Sequence, residues 1–162
     1  MNTMIRLLAI ACLILPLAAC KKEEAPKVVE AAPLTAPTTD EASAWRTYVT
    51  DVAKRNMDGI TNSPYVYFLP GETSEGFGGQ YQRLLEKVEG DLGRGIIEGN
   101  MLVFASPSSA KIGELAVVAF GQVPAGSLNN VKVVFIGKPE DSRKVEAASK
   151  PPGVKYVFVQ TQ

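Results

Sequence analysis

Four short apolar runs constrain this chain more than anything else in it: 65–69 (YVYFL), 101–105 (MLVFA), 131–136 (VKVVFI) and 154–159 (VKYVFV). Each is rich in β-branched and aromatic residues and has the length of one strand. A strand with one wet face alternates apolar and polar residues. Runs that are apolar at nearly every position belong to strands covered on both sides, as in a parallel sheet under helices.

The stretches between the runs have helical spacing. Trp45, Val49, Val52 and Ala53 follow Thr38-Thr39-Asp40-Glu41, a capping box, and predict a first helix to about Asn56. Tyr81, Leu84, Leu85, Val88 and Leu92 mark one face of a second helix, preceded by a glycine-rich loop over 71–79 and broken by Gly93, Gly95 and Gly99. Ser106-Pro107 predicts the start of a third, with serine as N-cap and proline at the first helical position. Along it lie Ile112, Leu115, Val118 and Ala119. Pro139-Glu140-Asp141 opens a short fourth helix, with acids where the helix dipole favours them, and Pro151-Pro152-Gly153 ends it. The order α-β-α-β-α-β-α-β predicts an α/β fold, a small three-layer sandwich whose four-stranded, mostly parallel sheet carries helices on both faces. Crossovers are right-handed. Strand order 2-1-3-4, half of a doubly wound sheet, is the expectation, with 1-2-3-4 a close alternative.

The N-terminal segment follows different rules. Residues 1–19 carry one charge, Arg6, before a run from Leu7 to Leu17 that is almost wholly apolar. That run is too short to cross a bilayer, which takes about 20 apolar residues, and it fits a secretory signal peptide. Leu17-Ala18-Ala19-Cys20 resembles the lipobox of bacterial lipoproteins. The resemblance covers only about the first twenty residues, and it implies that the Cys20 thiol receives diacylglycerol, that the leader is removed and that the new amino group is acylated. A tri-acylated end is a lasting anchor, because each buried methylene contributes about 0.8 kcal/mol and a single chain binds only reversibly. Lys21 stands where an aspartate commonly retains Gram-negative lipoproteins at the inner membrane, so the resemblance implies the outer membrane, facing the periplasm. Residues 21–37 combine mixed charges, alanines and Pro26, Pro33 and Pro37 with no aromatic side chain, a composition expected of a disordered tether. The expected organisation is therefore a signal peptide over 1–19, a lipidated tether over 20–37 and a single domain over 38–162.

Composition removes several classes of function. The chain has 162 residues, 17 Lys and Arg, 17 Asp and Glu, and no His, and removing residues 1–19 leaves a net charge of −1. Such a balance gives nucleic acid no basic footprint. Both cysteines, Cys12 and Cys20, precede the folded part, which leaves it without disulfides or thiol chemistry. Without His or Cys a zinc site would rest on carboxylates alone, and a serine hydrolase with a histidine base is excluded. No motif for a cofactor is present.

In sheets of this class ligands bind beyond the carboxyl ends of the strands, at a switch in strand order. The loops there supply the candidate ligand-binding residues Gly71, Glu72, Ser106, Ser108, Ser109 and Lys138. Gly71 and Gly76 have the separation of a phosphate loop, but Phe77 and Gly78 stand where lysine and a hydroxyl are needed, and Glu72 and Glu75 repel phosphate. Ser106, Ser108 and Ser109 could orient an anion at a helix N-terminus, with Lys138 as the nearby cation, or they could simply cap the helix. Lys138 with Glu140 and Asp141, or Glu72 with Glu75, offers paired charged groups but little around them to form a cleft. The sparse catalytic chemistry favours a non-catalytic module that binds an envelope protein, with Tyr65, Tyr67 and Phe77 as anchors if they are exposed. The alternative is a small-ligand or anion-binding domain, with hydrolysis left open, built on the loops 70–79, 106–109 and 137–141.

Overall fold

All four apolar runs are strands in the computed structural model, which describes residues 32–161. The predicted leader, Cys20 and the tether up to residue 31 lie outside the described residues. In chain order the elements are α1 (Ala42–Arg55), β1 (Tyr65–Phe68), α2 (Phe77–Gly93), β2 (Met101–Ala105), α3 (Ser109–Gly121), β3 (Lys132–Gly137), α4 (Pro139–Ser149) and β4 (Lys155–Gln160). The sheet is parallel throughout. The protein is a small α/β fold with helices on both faces of a four-stranded sheet.

The strand order is 1-2-3-4, not 2-1-3-4. Right-handed crossovers that all step in the same direction place every crossover helix on the same face. Accordingly α2, α3 and α4 pack against Tyr67, Leu102, Phe104, Val133 and Phe135. The opposite face, with Met101, Val103, Ala105, Val134 and Ile136, is covered by α1 through Trp45, Tyr48, Val49 and Val52. Successive strand residues thus serve opposite cores, which explains why β2 is buried at every position.

The register aligns Tyr67 with Phe104, Phe104 with Phe135, and Phe135 with Phe158. One aromatic residue from each strand therefore forms a row across the sheet on the three-helix face. Tyr67 and Phe104 have ring centroids 5.0 Å apart, and Phe135 and Phe158 are stacked at 6.5 Å. Tyr67 is fully buried and so is no surface anchor, while Tyr65 and Phe77 pack along the margin of the same core.

Helix starts depart from the sequence expectation. The N-cap of α1 is Glu41, whose carboxylate accepts from the Ser43 and Ala44 amides at 3.1 and 2.8 Å, rather than Thr38. Helix α2 begins at Phe77 and takes in Gly78 and Gly79, which were expected in the loop, and its cap Gly76 has φ +67°. That left-handed conformation suits glycine. The N-cap of α3 is Ser108, not Ser106, and it makes no side-chain capping bond. Ordered contacts also begin before Thr38: Ala36 packs against the α1-side core, and the Leu34 amide donates to the Asp51 carboxylate at 3.2 Å.

Candidate functional site

The carboxyl ends of the strands carry the loops on which ligand binding was expected, but an unbroken 1-2-3-4 order contains no switch point and so no crevice between diverging crossovers. The groove at this end that joins the loops after β2, β3 and β4 is polar and holds about 180 Å³. Its walls are Pro37, Thr38, Thr39 and Asp40 from the segment before α1, Trp45 from α1, and Pro107, Lys138 and Thr161 from the loops after β2, β3 and β4. Small-molecule sites usually have about 300–1,000 Å³. Of the candidate residues only Lys138 lines this groove. Asp40 places a carboxylate in the same walls, which works against an anion.

The three serines are engaged with the protein itself. Ser106 is buried, and its Oγ accepts from the Ser108 amide at 2.9 Å. Ser108 Oγ in turn accepts from the Glu72 amide at 3.1 Å, tying the first loop to the second. Ser109 is 4% exposed. Its hydroxyl donates to Asp141 at 2.8 Å and accepts from the Lys138 amide at 2.8 Å, joining the start of α3 to the start of α4. Asp141 is also buried and has Lys144 at 3.5 Å. A hydroxyl that donates its proton and accepts on one lone pair in this way, on a residue so deeply buried, braces two helix starts and is withdrawn from solvent. Gly137 permits the approach, since a Cβ there would lie 2.5 Å from Ser109 Oγ. Gly71 is buried, and a Cβ on it would run into the Asp40 carboxylate, which also accepts from Thr73 Oγ1 at 3.1 Å. The Glu72 side chain is exposed.

A second polar cluster, absent from the sequence candidates, lies on the three-helix side. The buried Tyr67 hydroxyl donates to Asp91 Oδ2 at 3.1 Å, and Asp91 also receives Lys87 at 2.7 Å and Arg94 at 2.8 Å. Burial alone would raise the Asp91 carboxyl, but the Lys87 and Tyr67 hydrogen bonds, with the charges of Lys87 and Arg94, hold it below the ordinary range. Burial, followed by the Asp91 charge, pushes the Tyr67 phenol up, so it stays a neutral donor. The i, i+4 and i, i+3 spacing of Lys87, Asp91 and Arg94 was visible as a helix-face ion pattern. The depth of Tyr67 was not, because an aromatic residue in a strand suits either the core or the surface.

Among the described residues, no group of three or more His, Cys, Asp or Glu is placed to hold a metal ion, and no helix is long and apolar enough to cross a membrane. Comparison of the chain with protein-family models, curated proteins and solved structures finds no match.

Proposed function

We propose that the protein is a bacterial lipoprotein, acylated on Cys20 and cleaved before it, whose α/β domain is a non-catalytic module that engages an envelope protein from the periplasmic side of the outer membrane. The lipobox Leu17-Ala18-Ala19-Cys20 and Lys21 support the anchor and its destination. The observation that carries the non-catalytic reading is the closed Lys138–Ser109–Asp141 arrangement. The hydroxyl best placed to act as a nucleophile or anion ligand is 4% exposed and already bonded on both sides. The alternative, a small-anion site, has only Lys138 in a groove that also contains Asp40.

Metabolic labelling with a radioactive fatty acid tests the anchor. Wild-type chain is expected to take up label and to sediment with outer membranes. Cys20→Ser is expected to lose the label and to remain unprocessed or soluble. Equal label on the two chains refutes the lipobox reading.

A further inference from the structure

The two edges of the sheet differ in a way that points to a partner. At one edge, β1 has four residues and lies between Pro64 and Pro70. Leu69 N–H bonds to Ala105, so by alternation only Val66 and Phe68 turn their backbone groups outward. A short strand bracketed by prolines is a blunted edge. At the other, β4 has six residues and no proline. The Lys155 amide donates to Val131 O and the Thr161 amide to Gly137 O, each at 2.8 Å. Residues 155, 157, 159 and 161 therefore face β3, while Tyr156, Phe158 and Gln160 direct three N–H and three C=O groups away from the sheet. These groups have no partner among the described residues. The four residues 156–159 are all apolar or aromatic and only half-buried.

We propose that β4 pairs antiparallel with β4 of a second copy about a two-fold axis at Phe158, forming one eight-stranded sheet. Residues directly opposite each other must share a face, so the axis falls on a residue rather than between two. Centred on Val157, the pairing would engage only the outward groups of residues 156 and 158, giving four hydrogen bonds and leaving Gln160 unmatched within the strand. Centred on Phe158, Tyr156 opposes the partner's Gln160 and Phe158 opposes the partner's Phe158. All six outward groups of each copy are then used, giving six inter-strand bonds. This register also sets Val157 against the partner's Val159 on the α1 face, and Lys155, the only charge in β4, against an uncharged threonine. The aromatic row Tyr67, Phe104, Phe135, Phe158 runs on through the axis into the partner's own row. An isologous pairing of this kind closes at two copies and leaves only the proline-bracketed edges free. The inference is independent of how the N-terminal segment is read.

Light scattering on the detergent-solubilised full chain, with the detergent contribution subtracted, tests it. Wild type is expected at twice the chain mass. Gln160→Pro, which removes an outward N–H and no bond to β3, is expected at the single mass with a melting temperature close to wild type. A monomeric wild type at tens of micromolar overturns the proposal, including the case in which a different strand occupies the edge. If the proline variant fails to fold, mixed cysteine variants decide. Val157→Cys and Val159→Cys in different copies face each other at a non-hydrogen-bonded position, within the reach of a disulfide. Crosslinking above the wild-type background is expected only when the two variants are co-expressed. Crosslinking of either variant alone to the same extent, or none in the mixture, refutes the register.

Discussion

Replacing Asp91 with alanine separates two kinds of polar interaction that meet on a single carboxylate. Lys87 and Arg94 are 56% and 78% exposed in their side chains. On losing Asp91 they return to water, and screened pairs of that kind contribute about 0–1 kcal/mol each. The Tyr67 hydroxyl has no such recourse, because its residue is fully buried. Leaving it without an acceptor costs about 1–3 kcal/mol. Asp91→Ala should therefore destabilise the domain by about 2–3 kcal/mol, which lowers the melting temperature by roughly 6–15 °C for a domain of this size. In a Tyr67→Phe background the orphaned hydroxyl is gone, and the same substitution should cost only about 1 kcal/mol, a coupling of about 1–2 kcal/mol in a double-mutant cycle. Urea denaturation of the four proteins measures it. Additive losses would refute the assignment of most of the cost to Tyr67. The same carboxylate makes a signed prediction in acid. Its pKa in the fold lies below the ordinary 3.8, so its contribution is fully present above that value and is lost as pH falls through the lower one. The stability difference between wild type and Asp91→Ala should be flat above about pH 5 and shrink below pH 4.

The brace between α3 and α4 predicts that Ser109→Ala leaves the Lys138 amide without its acceptor and costs about 1–3 kcal/mol in chemical denaturation. Gly137→Ala should cost a similar amount, about 1–3 kcal/mol, because its Cβ would crowd both Ser109 and the Phe135 ring, the latter at 2.7 Å. A chain that begins at Thr38 lacks the Ala36 packing and the Leu34 bond to Asp51, and should melt a few degrees below one that begins at Lys21. Coincident melting curves would show that those contacts contribute nothing.

The strands and the class of fold were legible because a residue buried on two sides leaves a continuous apolar run, which composition alone displays. Strand order was less legible. Orders 2-1-3-4 and 1-2-3-4 use the same apolar strands and the same right-handed connections, and they differ in which strands form the edges and in which helices share a face; Pro64 and Pro70 around β1 were the sequence signal for an edge there. Helix starts are ambiguous in the sequence where several residues compete for one role. Thr38 and Asp40 are preferred N-caps and Glu41 is not, but Asp40 accepts from Thr73 Oγ1 and the Trp45 indole donates to Thr39 O at 2.8 Å, which leaves Glu41 at the helix start as the cap. In the same way Ser106 and Ser108 are both good caps, but Ser106 turns back to the Ser108 amide and α3 starts later. At the loop face the same residues that could face a ligand serve instead as braces. Ser108, Ser109 and Lys138 do come together with Glu72, but through hydrogen bonds that close the loops on one another rather than open them to a ligand.

A sheet whose spatial order repeats its chain order can be built from one end to the other. Each strand after β1 docks against the one formed just before it, so no strand has to enter between two that are already paired. The loop that must close at each step is one crossover long, the smallest closure that a parallel pairing allows. Growth in this manner leaves the newest strand on the open edge at every stage, with β4 the last to arrive. A chain that emerges N-terminus first can thus add α2 with β2, α3 with β3 and α4 with β4 as successive units, while the proline-bracketed strand laid down first keeps the opposite edge blunted throughout.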